Sequence, residues 1–466
     1  MKDTTTVFSI AFIILQYFFA PVQAATLLIR NVSLIDSTGS PVQKNMNVLL
    51  DAARIVRITT ANASVPAGAK VIDGSGLFLI PGLWDMHVHW YEESYLPLFV
   101  ANGVTVVRQM WGMDMHYAWR SRENDPSYIG PKQVIASAIL DGEPKVWPTS
   151  IEVTSAEFAR EQVRLFHAKG ADFIKVYDRL NRDVYFAIAD ESKKVGIPFA
   201  GHVPQLVSLA EASDAGQKSM EHMVAFDTGL VTDPAAFEAK YSGELKPETM
   251  LARREDAIRS EDGAQKNLLF KKFADNATWQ SPTLALLRNR VFLRERLEVD
   301  KHRLTYIPKQ TTSSWLPPRN LDFQNITDER QWKARQVRFA YLQRLVGEMH
   351  KAGVRVIAGT DVRNPFCFPG FSLHDELELL VEAGLSPMAA LQAATSNAAE
   401  YSGKSNVLGT VTEGKIADLV LLSANPLDDI RNTTKITAVI LNGVYHDRSA
   451  LDAMLKRMQE QANYGK

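Results

Sequence analysis

The stretch Pro81-Gly82-Leu83-Trp84-Asp85-Met86-His87-Val88-His89 carries two imidazoles two residues apart. Side chains alternate across a strand, so His87 and His89 point to the same side and can share one cation. Taken alone, the pair is equally compatible with an ordinary surface feature. Asp85 shares their parity and reads as a structural or supporting residue rather than a direct ligand. Three further residues each sit at the end of a different candidate strand: His202 closes Pro198-Phe199-Ala200-Gly201, His222 closes Ser219-Met220-Glu221, and Asp361 closes Val356-Ile357-Ala358-Gly359-Thr360. Each has a bland alternative, as a turn residue before Pro204, a packed core histidine and a helix cap respectively. Lys175 lies inside the apolar run Phe173-Ile174-Lys175-Val176-Tyr177. An unpaired ammonium buried in a strand costs several kcal/mol. Two readings stay open for it: a lysine snorkelling to the rim, or an amine that has taken up carbon dioxide to become an anionic carbamate able to bridge two metals.

These residues meet only if the intervening elements bring them together. Candidate strands are Leu77 to His89, Thr105 to Met110, Gln133 to Ile139, Phe173 to Asp178, Pro198 to Val203, Ser219 to Met223, Trp279 to Leu284 and Val354 to Asp361. Most gaps between them fit one helix, for example Ser155 to Lys169 and Arg182 to Val195. Alternating strands and helices predict a parallel α/β architecture. In a (β/α)8 barrel the strand C-termini converge on one face, where the polar residues above would gather. The gaps before Trp279 and Val354 are longer. Residues 233–273 and 286–351, with a Pro-rich break at Trp315-Leu316-Pro317-Pro318, read as helical insertions that form a lid, decorate the barrel or make a subunit contact in a homo-oligomer. Both ends of the chain are β-rich, and Asn442-Gly443 has the composition of a hairpin turn. The expected fold is therefore α/β: a (β/α)8 barrel at residues 81–402, with a small β-sandwich built from 25–80 and 403–466.

The chain has 466 residues, 46% of them hydrophobic and 23% charged, the balance of a globular protein with a substantial core. A formal charge of −1 with mixed signs supplies no footprint for a polyanion, so nucleic acid is not an expected partner. Residues 1–24 read as an export signal, with an apolar run from Val7 to Ala20 and a small-residue site, Val22-Gln23-Ala24, for cleavage after Ala24. The run is too short for a bilayer, which needs about 20 residues, so no stable membrane span is expected after signal removal. The mature protein is expected in the periplasm or secreted. With Cys367 the only cysteine, no internal disulfide forms and the core must suffice.

The order Pro-Gly-X-X-Asp-X-His-X-His, strand lysine, two single histidines and Ala-Gly-Thr-Asp resembles the amidohydrolase superfamily with a binuclear centre. Leu373 to Leu380, Ala390 to Ala399 and Gly414-Lys415-Ile416-Ala417-Asp418-Leu419-Val420 resemble its imidazolonepropionase-like and Xaa-Pro-dipeptidase-like branch. The likeness covers nearly all of the mature chain apart from the helical insertions. It implies one divalent metal on His87, His89 and Asp361, a second on His202 and His222, and carbamylated Lys175 as the bridge. Imidazole and carboxylate ligands suit zinc, and two cations would lower the pKa of a shared water until hydroxide is available. Asp361 would then take the water proton and pass it to the leaving amine. His374, opening a helix after the loop Val362 to Ser372, is a candidate contact for a substrate carboxylate. Tyr177 shares the parity of Lys175 and is a second candidate. Gln205 stands where dipeptidase-like members often place a tyrosine, and Arg108-Gln109 replaces a common Arg-Asp; both departures bear on the substrate. The expected activity is hydrolysis of a C–N bond in a dipeptide or N-acyl amino acid. The rivals are a lactone, cyclic amide or phosphoester hydrolase using the same two metals, and an inactive barrel that only binds ligand.

Overall fold

The computed structural model describes residues 26–60, 65–125, 127–241, 247–316, 319–320 and 328–464. The leader assigned to residues 1–24 and the proline pair at 317–318 lie outside them.

Five strands open the chain: β1 (Leu27–Leu34), β2 (Gln43–Asp51), β3 (Arg54–Thr59), β4 (Lys70–Asp73) and β5 (Phe78–Pro81). The central run supplies β6 (Leu83–Val88), β7 (Val104–Gln109), β8 (Lys132–Asp141), β9 (Ile151–Glu152), β10 (Phe173–Val176), β11 (Phe199–Gly201), β12 (Ser219–Glu221) and β13 (Trp279–Ser281). Three more close the chain: β14 (Leu419–Leu422), β15 (Ile436–Leu441) and β16 (Val444–Asp447).

Strands from both termini form one mixed sheet in the order β16-β15-β14-β5-β1-β2-β3, with β4 beside β1. Its core comprises residues such as Ile29, Val48, Leu50, Leu79, Leu419 and Ile440. The edge strand β3 is covered where Arg54 bridges Ile416 and Ile55 N donates to Lys415 O, which removes an open row of backbone groups. The β15–β16 hairpin turns at Asn442 and Gly443, both at positive φ, +50° and +77°, as a tight two-residue turn requires.

The central strands run parallel in the order β6-β7-β8-β10-β11-β12-β13, with β9 paired outside the barrel on β8. Residues 356–362 close the ring. Val356 bridges Gln280 of β13, Val362 bridges Val88 of β6, and Met86 N and Asp361 N donate to Ala358 O and His87 O. The eight expected staves are all present. One boundary differs: the run from Leu77 to His89 is two strands, not one. At Gly82 the chain leaves the terminal sheet, its N–H bonding Asp418 O, and enters the barrel. A Cβ at Gly82 would lie 2.2 Å from Thr105 Oγ1, so only glycine permits this crossing.

The helices Ala156–Lys169 and Arg182–Val195 occupy the expected gaps, capped at their starts by Ser155 and Asn181 and ended by Gly170 and Gly196 at positive φ. The two long gaps are helical as expected, but not wholly inserted. Gly263–Asp275 and Glu329–Lys351 lead directly into β13 and the closing segment, and so hold the places of barrel helices. Leu342, Leu345, Val346 and Met349 bury the second of these in the main core. The C-terminus also departs from an all-β reading. Arg448–Tyr464 is a helix that returns to the main core through Leu451 and Met458.

Candidate metal centre

The end of β6 is held by Asp85, as its parity suggested. Its carboxylate accepts Thr360 Oγ1 at 2.6 Å, Thr360 N at 3.1 Å and His87 N at 3.3 Å, tying β6 to the closing segment. Burial raises this carboxyl to about 7 against those hydrogen bonds.

Beside it the imidazoles turn their Nε2 atoms to one point. His87 Nε2 lies 3.3 Å from His89 Nε2, and the two lie 3.3 and 3.2 Å from Asp361 Oδ1. His222 Nε2 lies 3.9 Å from Asp361 Oδ2, and donor atoms of His87, His222 and Asp361 all fall within 4.8 Å of one another. Asp361 Oδ1, despite two ring nitrogens this close, makes no hydrogen bond among the described residues. The His202 ring stands edge-on to His222 at 4.9 Å. The opposite nitrogens are engaged by outer partners: His87 Nδ1 with Glu221 at 2.8 Å, His202 Nδ1 with Asp178 at 2.6 Å and His222 Nδ1 with Thr283 Oγ1 at 2.7 Å. Holding Nδ1–H outward leaves the Nε2 lone pair facing in, the tautomer a metal ligand needs. Burial pushes His87 and His222 well below the usual imidazole range, so both are neutral. Burial also acts to raise Asp361, but His222, His89 and Lys175 together hold it below its ordinary value. His222, Thr283 and Asp361 sit at φ +63°, +48° and +55°, a concentration of backbone strain typical of functional residues.

Lys175 is fully buried, and its Nζ has no hydrogen-bond partner among the described residues. Burial draws its amine down to about 8. A snorkelling lysine would reach solvent, and this one does not. The orphaned amine, the inward Nε2 atoms and the Asp361 carboxylate make a donor set fit for divalent cations.

The substrate candidates separate. Tyr177 stacks on His202, ring centroids 4.1 Å apart, and its hydroxyl accepts Trp147 Nε1–H at 2.8 Å. Gln205 is exposed on the loop after β11, its backbone N–H bonding Asp178 O. His374 is not brought to the other candidates. It is buried, with Nδ1 on Thr433 Oγ1 at 2.9 Å and Nε2 on Asn102 O at 3.1 Å. Asn102 precedes β7, at the N-terminal end of the barrel, so His374 faces away from the strand C-termini where the other candidates gather. Its place in a helix after the Asp361 loop did not reveal which way that helix turns.

Sequence reasoning also missed the support behind His87. Arg108, fully buried, donates through Nη2 to both oxygens of Glu221 at 3.0 and 2.9 Å and through Nη1 to Ser219 and Tyr401. A charged residue directly after the run Val104 to Val107, within a predicted barrel strand, was the available signal, akin to the one that exposed Lys175.

A closed (β/α)8 barrel thus gathers imidazoles, a carboxylate and a buried amine at its strand C-termini, the face on which barrels of this kind carry their active sites. The profile of the Amidohydrolase family matches residues 343–445. Over 83 residues the chain is 40% identical to ochratoxinase of Aspergillus niger, a match covering 17% of this chain and 16% of that protein, about a sixth of its length. Among solved structures, a bottromycin amidohydrolase superposes with a TM-score of 0.77 at 24% identity, over 94% of this chain and 91% of that one. A Xaa-Pro dipeptidase with methionine bound in its active site gives 0.65 at 19%, over 91% and 100%. At these identities the structural likeness shows the fold. The sequence likeness to the Amidohydrolase family lies in residues 343–445, while the likeness of fold extends over most of the chain.

Proposed function

We propose that this protein is a metal-dependent hydrolase of C–N bonds acting on dipeptides or N-acyl amino acids. The observation that carries the reading is the convergence of three imidazole Nε2 atoms on the Asp361 carboxylate beside the unpartnered Lys175 amine. His87, His89 and Asp361 would hold one divalent ion and His202 and His222 a second, zinc being the cation such ligands favour. Carbon dioxide adding to the neutral Lys175 amine, with loss of one proton, would give an anionic carbamate able to serve as a ligand to both ions; an amine drawn to about 8 keeps a reactive neutral fraction near physiological pH, although the protonated form still predominates. When bound, two cations supply Lewis acidity and a water that ionises near neutrality.

The chain's own residues do the rest. Asp361 Oδ2, facing His222, accepts the proton released from water and delivers it to the leaving nitrogen, which departs as an amine rather than an unstable anion. Glu221, Asp178 and Thr283 keep the ligating rings in one tautomer. Arg363, two residues beyond Asp361 and stacked over Tyr91 at 6.0 Å, takes the place assigned to His374 as the cation for a substrate carboxylate, exchanging its partner Glu92 for it. The dipeptide class is suggested by the Xaa-Pro dipeptidase of like fold.

The test is elemental analysis with an assay panel. Close to two transition metals per chain and turnover of dipeptides or N-acyl amino acids support the reading. Full activity after thorough chelation, or turnover of lactones or phosphoesters alone, overturns it. Export stays part of the proposal, resting on the apolar leader and the Val22-Gln23-Ala24 site. Mass spectrometry of protein from the periplasm or medium should find an N-terminus at or next to Ala25, and a full-length cytosolic product counts against it.

A further inference from the structure

We propose that Tyr91, Trp111, Trp147 and Tyr177 form an aromatic subsite at the barrel mouth, so that the amide cleaved is one flanked by an aromatic ring; the inference rests on the hydrolase reading above. The four residues follow the C-terminal ends of four adjacent staves, β6, β7, β8 and β10. Their rings make a continuous arc from one end of the donor set to the other. Tyr91 Oη lies 3.4 Å from His89 Nδ1, and Trp111 stands edge-on to both His89 and Tyr91, at 6.4 and 6.5 Å. Trp147 lies 6.4 Å from Trp111, and Trp147 Nε1–H bonds the hydroxyl of Tyr177, which is itself stacked on His202.

Two features argue that the arc serves a ligand rather than the core. Trp147 is 47% exposed on the loop after β8, next to Val146 at 36%, and Leu206 on the loop after β11 is 62% exposed. Apolar surface left open beside a reaction centre, on loops that a barrel devotes to its substrate, marks a binding wall. In addition, the single polar atom of Trp147 is already committed to Tyr177, and the Tyr91 hydroxyl is turned toward His89. What the wall still offers is ring face and ring edge, which select a planar aromatic group over a polar or small one.

Matched substrates read the proposal directly: N-acetyl-phenylalanine against N-acetyl-alanine, and N-benzoyl-glycine against N-acetyl-glycine, on the full chain loaded with metal. The ring-bearing member of at least one pair should be favoured about tenfold or more in kcat/KM. Trp147→Ala and Trp111→Leu should each lower that ratio about tenfold, and Trp147→Phe, which keeps a ring, should retain most of it. Calorimetric binding of phenylalanine and benzoate, against alanine and acetate, gives a readout independent of turnover. Cleavage of amides with no ring preference and an unchanged ratio in both tryptophan variants overturns the subsite and leaves the hydrolase reading standing. Aromatic acids that bind, and bind less in Trp147→Ala, with no amide cleaved, sustain the subsite and overturn the hydrolase reading instead.

Discussion

Replacing Glu221 by glutamine tests the buried chain behind His87, because the substitution keeps shape and changes only charge and donor pattern. In the native arrangement one carboxylate faces three donors: Arg108 Nη2 reaches both oxygens, Ser219 Oγ donates to Oε1, and His87 Nδ1 lies 2.8 Å from Oε2. A glutamine cannot satisfy all three. In either orientation its amide nitrogen meets Arg108 Nη2, donor against donor, and the guanidinium is left without its counter-charge; with the nitrogen at the Oε1 position it also opposes the Ser219 hydroxyl. With the nitrogen toward His87, Nδ1 must accept, the proton moves to Nε2, and the lone pair aimed at Asp361 is lost. All three side chains are buried, and removing one partner of a buried ion pair costs about 3–5 kcal/mol. Loss of an outer partner to a ligating histidine lowers metal affinity roughly 10–100-fold. Denaturant melts of the metal-stripped protein read the first quantity, and competition with a chromophoric chelator the second. The double variant Arg108→Met with Glu221→Gln should be more stable than Glu221→Gln alone, since no unpaired charge remains, yet still bind metal weakly. Wild-type metal affinity in Glu221→Gln would refute the reasoning, whatever the change in stability.

Asp361→Asn should suppress amide hydrolysis by roughly 10²–10⁴-fold, the range for a lost acid–base group, with a smaller loss on an activated ester; metal content measured alongside separates proton transfer from loss of a ligand. Lys175→Ala should lose most bound metal, and short carboxylic acids that enter the vacated space should partly restore both metal and rate. Unchanged metal content would return Lys175 to a packing role. Away from the centre, burial acts to raise Asp375, but Arg303, Arg288 and Arg296 outweigh it and hold the carboxyl at about 2. The folded value lies below the unfolded one, so its contribution is complete above pH ~4 and is lost as pH falls toward 2, on the order of 2 kcal/mol in all. Asp375→Asn should therefore lower stability at neutral pH and flatten the acid limb of the stability curve between pH 4 and 2.

How much of this was readable before folding follows from the range of each interaction. His87 and His89 face the same way because a strand alternates its side chains, and the helices Ala156–Lys169 and Arg182–Val195 start and stop on caps one or two residues from their ends. The turn at Asn442-Gly443 needs only two residues that accept positive φ. All of these are set by neighbours in the chain, so the sequence by itself determined them, along with the alternation of strand and helix that implies a barrel. Gly82 is different. Its need for a bare backbone comes from Thr105, 23 positions on, where the chain passes from one sheet to the other. Glu221 reaches His87 across 134 residues, Arg108 reaches Tyr401 across 293, and His374 is turned to Asn102 across 272. The aromatic arc likewise joins four loops that no local pattern relates. Strand parity and capping fixed which face a residue occupies, but closure of the ring decided which residues meet, because only the packed barrel brings distant strand ends within the few ångströms over which hydrogen bonds and ring contacts act.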